Sequence, residues 1–193
     1  MKRDLARIFR ESASAQSHFI RRHAGALETV IRVTTEALAE GHKLLFFGNG
    51  GSASDAQHLA AEFVNRYKRV RAPLPAIALT TDTSALTSIA NDFGYAEVFA
   101  KQIDALGQSG DVAFALSTSG NSPSVLRAVQ RCRRRKIITV GLTGGAGGKL
   151  AAAVDHLLCV DATTETARIQ ETHILIGHAL CELVENKLAG DAS

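Results

Sequence analysis

The sequence predicts an α/β protein in which five parallel strands form one sheet covered by helices on both faces. Short apolar runs alternate with stretches of helical periodicity between residues 43 and 188, and this alternation is typical of parallel sheets. The runs are apolar at nearly every position, as expected of strands that are buried on both faces. Polar residues follow each run, which places a ligand site at one edge of the sheet.

The strands and helices alternate along the chain after a helical start. The strands are predicted at 43–47, 76–79, 111–116, 137–142 and 155–160. The helices are predicted at 53–67, 84–91, 95–106, 123–135 and 165–188, with a short helix after the glycine-rich loop 143–148. The chain as a whole, 1–193, is predicted to form a single domain.

An N-terminal helical extension, residues 2–40, precedes the α/β core at 41–193. Gly25 predicts a break between two helices, and Gly41 predicts the end of the second one. Because the extension lies outside the strand–helix alternation, we expect it either to pack against a partner subunit or to pack on its own domain.

The bulk composition is that of an ordinary globular domain. Of the 193 residues, 46% are hydrophobic and 21% are charged, and the net charge of +3 suits an anionic substrate without requiring nucleic acid. No apolar run approaches the ~20 residues of a membrane span. The charged N-terminus lacks the apolar core of a secretory signal, which favours the cytoplasm. Three widely spaced cysteines predict neither a disulfide framework nor a cysteine metal site.

The loop STSGNS, residues 117–122, follows a predicted buried strand and opens a helix at Pro123. Four hydroxyl groups, one glycine and a helix N-terminus supply the many donors that a phosphate needs. The loop has neither the lysine of a Walker motif nor the glycine spacing of a dinucleotide fingerprint. A monophosphate therefore fits better than ATP or NAD. The alternative is that Ser122 simply caps the helix.

The loop GNGGS, residues 48–52, leads into a predicted helix that carries His58 and Glu62 one turn apart. The glycines permit a tight turn and a close approach to a sugar. His58 and Glu62 share one helix face, and Arg66 follows at the same spacing. We expect acid–base or metal chemistry beside this loop, or else a solvated face with an ordinary Glu–Arg pair.

The last predicted helix carries Gln170, Glu171, His173 and His178 among apolar residues that occupy most of its circumference. This pattern predicts a central buried helix, in which the polar groups need partners. Histidine and glutamate on one helix, with histidine and Gln or Glu on another, supply the donors of a metal site. The spacing aligns Glu171 with His178 better than it aligns Gln170. The alternative is that these histidines are satisfied core residues.

Four stretches carry a resemblance to a known family: FFGNGGSASDAQHLAAEF, TSIANDFGY, STSGNS and RIQETHILIGH. They resemble the sugar isomerase (SIS) domain family. The NGGSASDAQH…E and RIQE…H pair is similar to its phosphoheptose isomerase branch, and the similarity runs over essentially the whole chain. The resemblance implies a flavodoxin-like core and a homotetramer whose sites lie between subunits, with the N-terminal helices used in oligomerisation.

The resemblance also implies the site residues. The phosphate would be held by Ser52, Ser117, Thr118, Ser119 and Ser122. The rest of the substrate would be lined by Asn49, Gly50, Gly51, Glu62, Arg66, Asn91, Asp92 and Gln170. One zinc ion per subunit would be bound by His58, Glu62, Gln170 and His178. Glu62 and His178 match the catalytic pair, and no organic cofactor is needed.

The implied reaction is an aldose–ketose isomerisation through an enediol. It converts D-sedoheptulose 7-phosphate to D-glycero-D-manno-heptose 7-phosphate, the first step toward ADP- or GDP-heptose for lipopolysaccharide or capsule. The chain departs from some members at Thr166 and Ala167, where they carry an aspartate.

The alternative is a non-enzymatic SIS protein that binds the bacterial replication initiator. That branch lacks the residues matching Glu62 and His178. This chain has both, which favours the enzyme.

Overall fold

The computed structural model describes residues 1–190, and the last three residues of the predicted core lie outside this range. The strands are β1 (Leu44–Gly48), β2 (Ala76–Ala78), β3 (Val112–Leu116), β4 (Ile138–Gly144) and β5 (His156–Val160). The α-helices are α1 (Lys2–Ala39), α2 (Gly51–Val64), α3 (Thr83–Phe93), α4 (Ala100–Leu106), α5 (Pro123–Arg134) and α6 (Thr166–Gly190). Two short 3₁₀ helices span Tyr95–Glu97 and Gly148–Ala152.

The five strands form one parallel sheet in the order β2-β1-β3-β4-β5. This is the flavodoxin-like order, so the predicted fold class is confirmed. The strand order reverses between β1 and β3, where Gly48 pairs with Leu116 at the carboxyl ends of the two strands. The loops 48–52 and 117–122 therefore leave the sheet side by side, at the switch point where such folds bind ligands.

Successive residues of β1 point into two different hydrophobic cores. Phe46 stacks on Phe114 and Phe63, with ring centroids 4.8 and 6.0 Å away, in the core shared with α1, α2 and α6. Phe47 lies 5.6 Å from Phe99 in the core on the opposite face of the sheet. Burial on both faces explains why the strand sequences are apolar at nearly every position.

Helix α1 is continuous, so the predicted break at Gly25 is wrong. The carbonyl oxygen of Gly25 accepts a hydrogen bond from the hydroxyl of Thr29 at 2.9 Å, as it can only in an unbroken helix. A glycine inside a helix costs about 1 kcal/mol. The burial of Phe19 and Leu27 on either side of Gly25 supplies more than that.

The end of α1 at Gly41 agrees with the prediction. Gly41 has a φ of +83°, and its N–H donates to the carbonyl oxygen of Leu38 while the N–H of His42 donates to that of Ala37. These two bonds form a Schellman motif, which glycine favours because it has no Cβ. The motif turns the chain from α1 into β1.

Helix α6 is buried on one face only, contrary to the prediction of a central buried helix. Its inner face packs against α1 and α2, whereas Leu175 and Leu183 are exposed. Helix α1 packs on its own domain through α6 and β5, and it also leaves Phe9 and Ile20 exposed. Within the described part of the chain, no helix combines the length and hydropathy needed to cross a membrane.

Candidate active site

Asn49 connects three segments at the switch point. Its Nδ2 donates hydrogen bonds to the hydroxyls of Ser122 and Ser124 at 2.8 and 3.0 Å. Its Oδ1 accepts a hydrogen bond from the hydroxyl of Tyr95 at 2.8 Å. Asn49 therefore fixes the GNGGS loop relative to the start of α5 and to the segment after α3. The sequence did not predict the hydrogen bond between Tyr95 and Asn49, because it joins residues distant in the chain.

Ser122 does not cap α5. It occupies the N-cap position, but within residues 1–190 its side chain makes no capping hydrogen bond. Its hydroxyl is turned to Asn49 instead. Pro123 at the first helical position has no N–H to satisfy. The first amides of α5 and the positive end of its dipole thus face the STSGNS loop without a side-chain oxygen in front of them.

The STSGNS loop takes its shape from the neighbouring glycine-rich loop. Gly120 has a φ of +65° and lies so close to Gly147 that a Cβ on Gly120 would collide with the Gly147 carbonyl. The N–H of Gly144 donates to the carbonyl oxygen of Thr118 at 3.0 Å. The glycine-rich loop thereby fixes the backbone of the STSGNS loop on one side, and Ser119 remains exposed to solvent.

The predicted acid–base residues meet within one chain. His178 Nε2 on α6 lies 2.9 Å from His58 Nε2 on α2, although the two residues are 120 positions apart. Glu62 Oε1 lies 3.4 Å from the same His58 nitrogen. Burial lowers the pKa of His178, His58 lowers it further, and the Glu62 carboxylate opposes both effects. The net lowering of its pKa favours the neutral imidazole of His178, the form that can accept a proton.

The two neighbours Gln170 and Glu171 point to different places. The Gln170 amide lies against Gly51, where a Cβ would collide with it. Glu171 pairs with Arg168 at 2.9 Å, and Arg168 donates to the carbonyl oxygen of Ile8 in α1. Spacing had favoured Glu171 as the site residue, and the structure puts Gln170 beside the GNGGS loop instead.

His173 is a core histidine. It is fully buried, and its Nε2 lies 3.0 Å from the carbonyl oxygen of Thr143. Burial lowers the pKa of His173 to about 4. The core interpretation, left open for both histidines of α6, therefore applies to His173.

Arg66 lies outside α2, so the predicted alignment of Arg66 with His58 and Glu62 on one helix face is wrong. Helix α2 ends at Val64. Arg71 donates to the carbonyl oxygens of Glu62 and Phe63, both at 2.9 Å. A guanidinium that satisfies the last carbonyls of a helix stabilises its end.

Asn91 and Asp92 lie exposed near the end of α3, where the Asn91 amide donates to the Asp92 carboxylate at 2.9 Å. Ser52 is buried in the first turn of α2.

Asp55 on α2 was not identified from the sequence. One of its carboxylate oxygens has no partner within residues 1–190, and burial raises its pKa. Tyr67 was also not identified, and its ring stacks on that of His178 at 5.6 Å.

Within residues 1–190, no group of three or more His, Cys, Asp and Glu side chains forms a ready metal site. The donor types nevertheless fit zinc, because the imidazole nitrogen of His58 lies close to that of His178 and to a carboxylate oxygen of Glu62. The two nitrogens face each other at hydrogen-bonding distance.

The fold and the loops at its switch point define a class of protein. A family model described as SIS domain matches residues 8–144, more than half of the chain. SIS domain proteins are therefore the family to which this chain belongs.

Similarity to individual proteins identifies the branch of the SIS domain family. The phosphoheptose isomerases of Thermodesulfovibrio yellowstonii and Solidesulfovibrio magneticus are 48% and 51% identical to this chain over 95% of its length, and the match covers 91% and 89% of their own. The solved structure of phosphoheptose isomerase from Neisseria gonorrhoeae superposes with a TM-score of 0.90 at 43% identity, over 96% of this chain and 98% of that one. Within the SIS domain proteins, the chain belongs to the phosphoheptose isomerase family.

Proposed function

We propose that this chain isomerises D-sedoheptulose 7-phosphate to D-glycero-D-manno-heptose 7-phosphate. The observation that carries the proposal is the cluster of His58, Glu62 and His178, beside loops that suit a phosphorylated sugar. The relatives named phosphoheptose isomerase, about half identical over nearly the full chain, support the same substrate. The replication-initiator alternative is not favoured, since both members of the acid–base pair are present.

The phosphate is assigned to the two loops at the switch point. The proposed ligands are the hydroxyls and adjoining amides of Ser52, Ser117, Thr118, Ser119 and Ser122. The support is the uncapped N-terminus of α5, where backbone N–H groups and the helix dipole attract an anion. The sugar then extends along Asn49, Gly50, Gly51, Asn91 and Asp92, and Arg66 supplies a further cation.

Glu62 and His178 are proposed to move the protons. One of them takes the proton from the carbon next to the carbonyl group, which gives an enediol. The proton then returns to the neighbouring carbon while the two oxygens exchange a proton, so that the ketose becomes an aldose with no net gain or loss of atoms. Two positioned acid–base groups meet this requirement, and the lowered pKa of His178 favours the neutral imidazole, the form that accepts a proton.

One zinc ion per subunit is part of the proposal, with His58, Glu62, Gln170 and His178 as its ligands. A bound zinc would polarise the carbonyl or enediolate oxygen of the substrate. The support is the donor set, which combines imidazole, carboxylate and amide groups at the meeting point of α2 and α6.

We also propose a homotetramer with active sites at subunit interfaces, on the ground that α1 and α6 expose apolar side chains along their outer faces. The reaction is assigned to the cytoplasm, because a charged sugar phosphate does not cross a bilayer unaided. Its product would feed nucleotide-activated heptose synthesis for lipopolysaccharide or capsule.

Turnover of sedoheptulose 7-phosphate tests the function and the site. The wild-type chain is expected to convert it, whereas Glu62→Gln and His178→Ala should each lower kcat by on the order of 10²–10⁴-fold. Glu36→Gln, which removes an exposed carboxylate of α1 paired with Arg32, is the matched control and should retain full activity. A wild-type chain that is inactive with and without zinc contradicts the function. Full activity in both site variants contradicts the assignment of the residues.

A further inference from the structure

The buried carboxylate of Glu185 binds the segment after α2 to α6, in addition to the exposed contacts Lys68–Glu182 and Arg69–Asn186. The Glu185 side chain is only 2% exposed. One oxygen accepts hydrogen bonds from the backbone N–H of Lys68 and of Arg69, at 2.8 and 2.9 Å. The other accepts from the N–H of Tyr67 at 3.1 Å and from the guanidinium of Arg71 at 3.0 Å. Four donors thus fix segment 67–71 to a single side chain.

The charge on Glu185 is stabilised by these bonds. Burial acts to raise its pKa, but the three backbone N–H groups and Arg71 outweigh burial, so the pKa is lowered. A buried carboxylate that accepts several N–H bonds stays ionised and rigid. Such a group can set the position of the backbone that it binds.

That backbone carries the Tyr67 ring to His178. The two ring centroids are 5.6 Å apart and the planes are inclined by 28°, a stacked arrangement. Glu185 lies two turns beyond His178 on the same face of α6. Among the described residues the Tyr67 hydroxyl makes no hydrogen bond, so Tyr67 contacts His178 through its ring alone.

His178 is therefore held between two rings. His58 meets its edge, with the centroids 5.1 Å apart and the planes at 60°, and Tyr67 covers its face. The edge contact fixes the direction of Nε2, and the stacked ring restricts rotation of the imidazole about its bond to Cβ. Without Tyr67, one of these two restraints is lost.

We propose that Tyr67 is a positioning residue that orients the imidazole of His178 for proton transfer, and that Glu185 keeps Tyr67 in place. The kinetic part of this proposal rests on the proposed isomerase function. Loss of the orientation should lower kcat more than it changes KM, because the phosphate is assigned to loops that Tyr67 does not contact.

Two substitutions of Tyr67 test the role of its ring. Tyr67→Leu removes the ring and is expected to lower kcat roughly 10- to 100-fold, the cost of a misplaced catalytic group, with KM changed by less than about threefold. Tyr67→Phe keeps the ring and should retain kcat within about twofold. Equal losses in both variants would overturn the proposal in favour of a role for the hydroxyl. Full activity of Tyr67→Leu would overturn it outright.

The role of Glu185 is tested against its neighbour on the same helix. Glu185→Gln removes the charge that Arg71 and the three N–H groups share, and it is expected to lower kcat as Tyr67→Leu does. Glu182→Gln is the matched control, because Glu182 is more exposed and its carboxylate binds, among residues 1–190, the Lys68 ammonium group alone, at 2.7 Å. Its kcat should equal that of the wild type. Equal kcat in Glu185→Gln and Glu182→Gln would contradict the role of Glu185.

A spectroscopic readout separates this proposal from the isomerase function. In protein with ¹³C-labelled histidine, the His178 ring resonance is identified by its absence in His178→Ala. Tyr67→Leu should remove the part of the ring-current shift that comes from Tyr67, leaving that from His58, and Tyr67→Phe should preserve the full shift. If the wild type does not turn over sedoheptulose 7-phosphate but the shift behaves as expected, the function fails and the ring contact stands. If the wild type turns over the substrate but the His178 resonance is the same in Tyr67→Leu as in the wild type, the ring contact is refuted and the function stands.

Discussion

Gly51 lies in the first turn of α2, where it approaches Gln170 of α6 closely. The Gln170 amide occupies the space that a Cβ would need. The φ of Gly51 is not in the left-handed region, so an alanine there would face only a steric problem. Close approach between two elements, and not backbone freedom, therefore accounts for glycine at this position.

We predict that Gly51→Ala displaces Gln170 and weakens the site. Disturbing a group that orients a metal site costs roughly 10- to 100-fold in metal affinity or activity, and a loss in this range is expected for kcat and for zinc affinity. Gly25→Ala is the control, since a Cβ there meets no atom within 4 Å. Steady-state kinetics and zinc titration of both variants provide the measurement. A Gly51→Ala variant with wild-type kinetics would show that Gln170 is dispensable.

At this scale the sequence predicted some site residues and not others. Helical spacing predicted that His58 and Glu62 share one helix face, because both residues lie on one element, whereas their proposed roles came from the family resemblance. The predicted alignment of Arg66 with them was wrong because α2 ends at Val64, where Arg71 binds the carbonyl oxygens of Glu62 and Phe63 from outside the helix. Tyr67 depends on Glu185, more than a hundred residues away. Contacts of that range leave no periodic signal in a sequence.

At the scale of elements, the strands were predictable because burial on both faces leaves a continuous apolar run. Their order came only from the family resemblance, which implied a flavodoxin-like core, since pairing depends on crossovers that periodicity does not encode. The break predicted at Gly25 failed for a related reason. Packing of α1 along α6 and β5 outweighs the weak local preference of one glycine.

His173 links two of these elements, α6 and β4, and makes their attachment sensitive to pH. Its pKa is about 4 in the folded protein against about 6.5 when unfolded. Below pH 6.5 the unfolded chain therefore binds a proton that the folded chain does not bind until about pH 4. The stability contributed by neutral His173 is fully present above pH 6.5 and is lost as the pH falls through this window.

We predict that this effect lowers the free energy of unfolding by about 2 kcal/mol between pH 7 and pH 5. Urea unfolding curves at a series of pH values measure it. His173→Gln keeps an N–H that can reach the Thr143 carbonyl but does not titrate, so its stability should fall less over the same range. Parallel pH dependences for wild type and variant would show that other groups cause the loss.

At the scale of the whole molecule, two surfaces differ in polarity. One is the end of the sheet that carries the ligand loops, and the other is formed by the outer faces of α1 and α6. The first is polar and rich in glycine. The second exposes large apolar side chains, namely Leu5, Ile8, Phe9, Ile20, Leu175 and Leu183. Ile20 and Leu175 line one apolar groove between α1 and α6. Covering such side chains with a second copy would gain about 25 cal/mol per Å² of apolar area removed from water.

We predict that Ile20→Glu weakens the proposed tetramer. A glutamate at a subunit contact would lose its hydration without a partner, which is costly, so sedimentation velocity should show smaller species than for the wild type. Val70→Glu is the matched control, because Val70 is 90% exposed in the loop before β2 and away from this groove. It should sediment as the wild type does.

If active sites lie between subunits, turnover per chain in Ile20→Glu should fall on dilution together with the assembly. A wild-type chain that sediments as a monomer at micromolar concentration would refute the assembly, and full activity in that monomer would show that one chain holds the complete site.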